Sequence, residues 1–342
     1  VNESALLEAM PKAEVHLHLE GTVSAETLWE MAERNRVTLP ARTLGELREK
    51  FAFKSFEEFL ELWMAMCSCL RTEADFVQLV DRFGFECRRQ NIRYVEAHFT
   101  PFNHESHGFG GRRALEIVTE RLCATESSGG PATRLILDIP GETGTTGAEF
   151  TLSLLEELAN PLVVALGLGG PERGLPRTLF KPYFERARAA GYPVVAHAGE
   201  TEGAEHVRQA VNDLRVFRVQ HGIRGAEDPE TLALLADRNV CCDLALTSNT
   251  FLTEYRDLKT HPIGRLLEAG VPITLSTDDP PFFGTDLVRE YQRARGEAGV
   301  PLRELWTANL NGLRYGLGET PLRRRLLEEF REWGRARGLG DA

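Results

Sequence analysis

Eight short apolar, β-rich runs, separated by segments of helical pattern, limit what this chain can fold into. They are AEVHLHLEG (13–21), IRYVEAHFTP (92–101), RLILDIPG (134–141) and LVVALGLGG (162–170). Then come YPVVAHAGE (192–200), VFRVQHGI (216–223), NVCCDLALTSN (239–249) and VPITLSTDDP (271–280). Between them stand patterns such as TLFKPYFERARAAG and PETLALLADRN, the first closed by a glycine suited to a helix C-terminus. Strands alternating with helices build parallel sheets, and eight of them predict a (β/α)8 TIM barrel. One domain, 1–342, is expected, because α/β barrels take this much chain as a single unit. The first connection, 22–91, is far longer than the rest and reads as several helices, including SFEEFLELWMAMCSCL. It is either an elaborated helical layer or a lid over the barrel mouth.

In such barrels chemistry sits where the strands end at their C-terminal side. Here those ends hold His16 and His18, Glu96 and His98, Asp138, His197 and Glu200, His221, Ser248 and Asn249, then Asp278 and Asp279. Alternate residues of a strand share a side, so His16 and His18 present two imidazoles together. With His197 and the carboxylate of Asp278 they form a donor set suited to zinc or a similar divalent ion, with a place left for water. A cation also accounts for two adjacent aspartates at the mouth of a buried strand, otherwise a costly pairing. Glu200, three residues after His197, serves either as a general acid or base beside the water or as a helix N-terminal carboxylate. His221 either orients or deprotonates that water, or is a buried structural histidine.

Composition removes other classes. A formal net charge of -11 offers no basic surface to nucleic acid or anionic membrane. No apolar stretch approaches a membrane span, and the start VNESALLEAMPKAE lacks the apolar centre of a signal peptide. Six cysteines without a CxxC pair suit a reduced, cytoplasmic setting. In LGLGGPE (166–172), Glu172 stands where a dinucleotide fingerprint needs glycine. No Walker loop, H-E-x-x-H, G-x-S-x-G or cytidine-deaminase-type H-x-E…P-C-x-x-C occurs.

Taken together, MPKAEVHLHLEGTVSAETL, HAGET, QHGI, LTSNTFLT and STDDPPFFGTDL resemble the adenosine deaminase family of metal-dependent hydrolases. The resemblance spans almost the whole chain and implies the same barrel. It implies His16, His18, His197 and Asp278 as ligands of one Zn2+, Glu200 as proton donor to purine N1, and His221 as the residue that positions and helps deprotonate the water. Asp279 matches the aspartate that contacts the water and purine N7, and Gly170 the glycine whose amide lies near N3. Related barrels that bridge two ions use a modified lysine at the end of the fourth strand; LVVALGLGG has none, so one ion is expected. Gln220 departs from the family pattern, where glycine is common.

The implied reaction is hydrolytic deamination of a 6-aminopurine nucleoside to the 6-oxopurine and ammonia. Glu20 stands where adenosine-specific members carry Asp against the sugar 5′ hydroxyl, and a carboxylate there argues against a 5′-phosphate. DIPGETG (138–144), residues 166–191 and DDPPFFGT look like the bacterial branch that deaminates 6-aminodeoxyfutalosine in menaquinone biosynthesis. That substrate carries a carboxyphenyl-ketone tail, for which Phe282, Phe283 and the aromatic 51–66 stretch are the expected slot. Arg71, Arg173, Arg177 and Lys181 are the candidate cations for its carboxylate. Adenosine and then adenine follow as alternative substrates. Other classes are a hydrolase of the same superfamily acting on an amide or ester, and a non-catalytic metal-binding barrel. The latter expects an inert residue at Glu200, His221 or Asp279, and all three are intact.

Overall fold

The computed structural model describes residues 2–53 and 55–340, so positions 1, 54, 341 and 342 of the expected 1–342 unit lie outside the described residues. One strand falls on each apolar run: β1 (Lys12–His18), β2 (Ile92–Phe99), β3 (Ala132–Pro140), β4 (Val163–Gly169), β5 (Ala196–Ala198), β6 (Arg218–His221), β7 (Cys241–Leu244) and β8 (Ile273–Leu275). They pair in parallel and in chain order, β1 to β4 and β5 to β8. Isolated parallel bridges, Leu166 to Val194 and Leu17 to Asp278, join the two sheets at both seams. At the second seam the His18 amide donates to the Asp278 carbonyl (2.9 Å) and the Asp278 amide to the His16 carbonyl (3.1 Å). The arrangement is that of a (β/α)8 barrel. Strands packed on both faces need unbroken apolar runs, and β3 is buried at every position.

β5 and β8 are shorter than the runs that contain them. Gly199 (φ 69) and Asp278 (φ 65) turn the chain out of the extended region just beyond these strands, where site residues leave the ladder.

Between β1 and β2 lie helices at Ala25–Asn35, Leu44–Lys50, Phe56–Cys69 and Glu73–Arg89. The Phe56–Cys69 helix starts on Ser55, whose Oγ accepts from the Glu58 amide at 3.2 Å, with Glu57 and Glu58 favourably placed in its first turn. Phe56, Phe59, Leu60 and Trp63 follow the i, i+3, i+4, i+7 spacing of one helix face. That face lines the cavity at the C-terminal ends of the strands. Part of the long connection is therefore a wall of the mouth.

Inside the barrel, Ile136, Ala165 and Val195 pack with Leu317. A buried ion cluster is centred on Arg218, whose Nη1 lies 2.6 Å from Glu96 and whose Nε lies 2.8 Å from Asp243. Glu96, read from sequence as a rim residue beside His98, thus belongs one layer deeper, a two-residue step down the same face of β2. Gln220 joins this cluster by donating to Asp243 Oδ2 (3.2 Å), which gives the off-pattern residue its packing. Among the described residues no helix is long and apolar enough to cross a membrane.

Candidate active site

His16 and His18 leave β1, His197 sits in β5, and Asp278 follows β8; their ligand atoms converge. His197 Nε2 lies 3.1 Å from His16 Nε2 and 3.2 Å from His18 Nε2. Asp278 Oδ1 lies 3.5 and 3.3 Å from the same two nitrogens. A tetrahedral shell with bonds of about 2.0–2.1 Å has edges of about 3.3–3.4 Å, and these four contacts are of that length. Protonation points the same way. His16 Nδ1 faces the Asp243 carbonyl (3.2 Å) and His197 Nδ1 the Leu168 carbonyl (2.9 Å), and carbonyls only accept. The ring protons are therefore assigned to Nδ1, leaving two bare Nε2 lone pairs facing each other at 3.1 Å. A cation between them resolves that contact, and the donor set fits a divalent metal.

Neighbouring side chains hold the donors. Ser248 Oγ donates to Asp278 Oδ2 at 2.7 Å. Asp138 Oδ2 lies 3.7 Å from His18 Nδ1, and its Oδ1 accepts from His98 Nδ1 at 2.9 Å. Burial pushes the Asp138 carboxyl up to about 7. His221 and Asp278 both adopt positive φ (60 and 65), uncommon for residues with a Cβ, so backbone strain collects at the site.

Glu200 is buried at the cavity floor, its Oε1 3.6 Å from His221 Nε2. Burial, reinforced by the charges of Asp278, Glu172 and Asp279, pushes its carboxyl well above the ordinary carboxylate range. That favours the protonated form a general acid needs. Burial and the neighbouring His16 bring His221 down to about 3, hence neutral at physiological pH. Its tautomer follows from a relay. The Ile263 amide donates to His261 Nδ1 (3.2 Å), so His261 Nε2 carries the proton and donates to Asn249 Oδ1 (3.1 Å). Asn249 Nδ2 then donates to His221 Nδ1 (3.1 Å), leaving the His221 proton on Nε2, toward Glu200, so that in this tautomer His221 can orient a water but not take its proton, contrary to the sequence expectation.

Asp279 lines the cavity with its Oδ1 buried and without a hydrogen-bond partner among the described residues. Gly21 makes room for it, since a Cβ there would stand 1.7 Å from that oxygen. Gly170 also lines the cavity; at φ 78, with a Cβ position 2.3 Å from Glu142 Oε2, it keeps its backbone open.

The cavity is lined by polar groups at the strand ends and by apolar side chains of the Phe56–Cys69 helix. Two sequence expectations shift here. Phe282 and Phe283 do not line it. Phe282 packs against Phe51, Phe59 and Trp63, and Phe283 against Phe53, Phe59 and Phe251, so they back the wall that Phe59 and Trp63 present. Glu20 also sits behind the lining: its Oε1 accepts from the Thr100 amide (2.9 Å) and pairs with His104 Nε2 (3.2 Å), while Oε2 has no partner among the described residues. Of the candidate cations, Arg177 is fully buried and bonds the carbonyls of Leu175, Pro171 and His197. Arg71 bonds the Ser68 carbonyl, and Lys181 lies 3.6 Å from Asp213. Arg173 is exposed, on the loop that leaves Gly170, with Nε 3.7 Å from Glu202. The roles of His261, Gly21 and Glu172 had no sequence signal; Ser248 and Asn249 were visible as polar residues at the end of the seventh run.

Known proteins match this arrangement. The family described as adenosine deaminase matches residues 11–333. An aminodeoxyfutalosine deaminase of Streptomyces coelicolor is 37% identical over 328 residues, 95% of this chain and 85% of that protein. An adenine deaminase of Bordetella parapertussis is 36% identical over 298 residues, covering 86% of this chain and 92% of its own. The crystal structure of adenine deaminase from Arthrobacter aurescens superposes with a TM-score of 0.91 at 30% identity, over 96% of this chain and all of that one. With a match that runs around the barrel and takes in all four converging donors, this chain belongs to the adenosine deaminase family and is a hydrolytic deaminase.

Proposed function

We propose that this enzyme deaminates 6-aminodeoxyfutalosine, an adenine nucleoside bearing a carboxyphenyl-ketone tail, in menaquinone biosynthesis, and that its metal is a single Zn2+. The observation that carries the substrate reading is the apolar wall: Phe56, Phe59, Leu60 and Trp63 line one side of the cavity, a surface that an aromatic tail beyond the purine would cover. The 37% identical Streptomyces relative that bears this name supports it over 95% of the chain. His16, His18, His197 and Asp278 would hold the zinc. When bound, zinc supplies a water whose pKa is lowered to about 7, a nucleophile at neutral pH.

The chain's own residues do the rest. Glu200, held protonated, delivers its proton to purine N1 as C6 is attacked, so charge on the ring is quenched as it forms. His221, with its proton on Nε2, orients the nucleophile by donating to it. Asp279, whose carboxyl burial and the Asp278 charge hold well above the ordinary carboxylate range, donates its proton to purine N7 and accepts from the nucleophile through its other oxygen. The Gly170 backbone faces the N3 side. Phe282 and Phe283 act on the tail indirectly, by fixing Phe59 and Trp63. Arg173, exposed beside Glu202 on the loop that follows Gly170, is the cation we assign to the tail carboxylate.

Adenine is the second reading, favoured by the Bordetella relative and the Arthrobacter structure. The test is kcat/KM on 6-aminodeoxyfutalosine, adenosine and adenine side by side, with metal analysis of the purified enzyme. The tailed nucleoside is expected to lead by about 10–10²-fold, the discrimination an apolar pocket gives to the group that fills it. A lead for adenine or adenosine overturns the substrate reading.

A further inference from the structure

The residue that breaks the dinucleotide fingerprint, Glu172, has another use. Its buried carboxylate sits where successive backbone amides converge: Oε1 accepts from Gly199 (2.6 Å), and Oε2 from Glu200 (3.1 Å), Thr201 (2.8 Å) and Glu202 (2.8 Å). The Thr201 hydroxyl adds a fifth donor at 3.2 Å. Consecutive amides turned to one point make an anion-binding nest, and here the protein fills that nest with its own side chain. Burial alone raises the Glu172 carboxyl, but nearby His206, the Glu202 and Thr201 amides and the Arg177 charge outweigh it and set the group at about 2. The anion is thus permanent at physiological pH.

The loop so gathered is the one that carries Glu200 away from β5. Gly199 enters it at φ 69, a position where a Cβ would also stand 2.4 Å from Val207 Cγ2. Arg177 ties the same two loops from beneath, reaching the Pro171 and Leu175 carbonyls on one side and the His197 carbonyl (3.3 Å) on the other. Glu200 itself makes no side-chain hydrogen bond within 3.5 Å to a described residue; its nearest ionic neighbour is His221 at 3.6 Å. Its aim therefore comes from its backbone, and the backbone is held by Glu172.

We propose that Glu172 is a positioning residue for the deamination: its carboxylate fixes the backbone of residues 199–202 so that Glu200 meets the purine ring. The proposal rests on the reading of Glu200 as proton donor. General acid catalysis is sensitive to placement, and an error of about 1 Å costs about 10²-fold in rate. Glu172→Gln keeps the shape, but its amide nitrogen can only donate and faces other donors, so the nest loses its anion and an acceptor. Expected for Glu172→Gln is a kcat lower by about 10²-fold with KM within about threefold and metal content unchanged. Hydrogen exchange should quicken at the amides of 199–202 and not elsewhere in the barrel. Glu172→Asp, which keeps the charge on a shorter arm, should recover part of the kcat.

Wild-type kcat in Glu172→Gln overturns the proposal, as does a raised KM at unchanged kcat, or unaltered exchange at 199–202. Loss of metal, or failure of both variants to fold, makes Glu172 a structural residue and also overturns it. If instead Glu200→Gln stays active, the proton-donor reading fails, while the exchange data still report whether Glu172 anchors the loop.

Discussion

Two layers of buried charge lie a few residues apart along the same strands, and they are bonded in opposite ways. The deeper layer begins at Arg218, the first residue of β6; the upper one takes in His221, the last. In the deeper layer each charge meets an opposite one within 2.8 Å: Arg218 reaches Glu96 and Asp243 at once. Glu96 also accepts from the Leu317 and Gly318 amides, and Asp243 from Thr274 Oγ1 at 2.8 Å. The upper layer is left open. Its imidazole nitrogens face one another without protons, Asp279 Oδ1 and Asp138 Oδ2 lack partners among the described residues, and His221 and Asp278 sit at strained φ. Burial of charge does not mark a site, because both layers are buried. What marks it is the convergence of acceptors with no opposite charge between them, where the deeper carboxylates meet Arg218.

The comparison is broken most directly by removing one acid from the upper layer. Glu200→Gln should lower kcat by about 10²–10⁴-fold, the usual contribution of a positioned general acid. Metal content and thermal midpoint should hardly move, since no described residue depends on that carboxyl for a hydrogen bond. Steady-state kinetics with metal analysis decide it, and substantial remaining turnover removes Glu200 from the donor role. Arg218→Met performs the matching operation below. It strands two buried carboxylates and should cost about 3–5 kcal/mol of stability in urea unfolding. The folded fraction should keep its kcat within about tenfold, because Arg218 reaches the site through the residues behind it: Asp243, whose carbonyl holds His16, and the Val15 carbonyl at 3.2 Å. Adding Glu96→Gln and Asp243→Asn removes the stranded charges and should restore most of the loss. If Arg218→Met abolishes turnover at unchanged stability, the division into layers is wrong.

How much of this could be read from the chain differs between the layers. The eight strands were legible because each is largely buried on both faces and so lies in a mostly apolar run. The converging donors were legible because a period of two puts His16 and His18 on one side, and the other polar residues mark strand ends. Depth was not: Glu96 and His98 share a face of β2, and nothing in a period of two says which stands at the rim. The aromatic wall was half legible. The helical spacing of residues 56, 59, 60 and 63 is in the sequence, but which way the chain turns after Pro280 and Pro281 is a tertiary matter. That is why Phe282 and Phe283 were expected in front of the wall they support. Glu172 and the His261 relay act across loops from distant strands, and one-dimensional spacing carries no trace of such contacts.

The finest test of the contrast is the smallest in energy. In the deeper layer, removing a charge leaves its partners uncompensated, so stability falls. In the upper layer Asp279 adds a second carboxylate beside Asp278, with one oxygen buried and unbonded. Asn in its place keeps the volume and never carries the charge that burial and the neighbouring Asp278 oppose, the opposition that holds the Asp279 carboxyl well above the ordinary carboxylate range. Asp279→Asn should therefore raise stability by about 0.5–2 kcal/mol in urea unfolding while lowering kcat, the trade expected where function keeps an unfavourable group in place. Metal-loaded enzyme is the material to use, so that Asp278 is compared in one state. A loss of stability instead means that Asp279 is bonded as fully as Glu96 and Asp243. The clearance at Gly21 would then serve packing, and the upper layer would differ from the lower only in its ring nitrogens and its backbone strain.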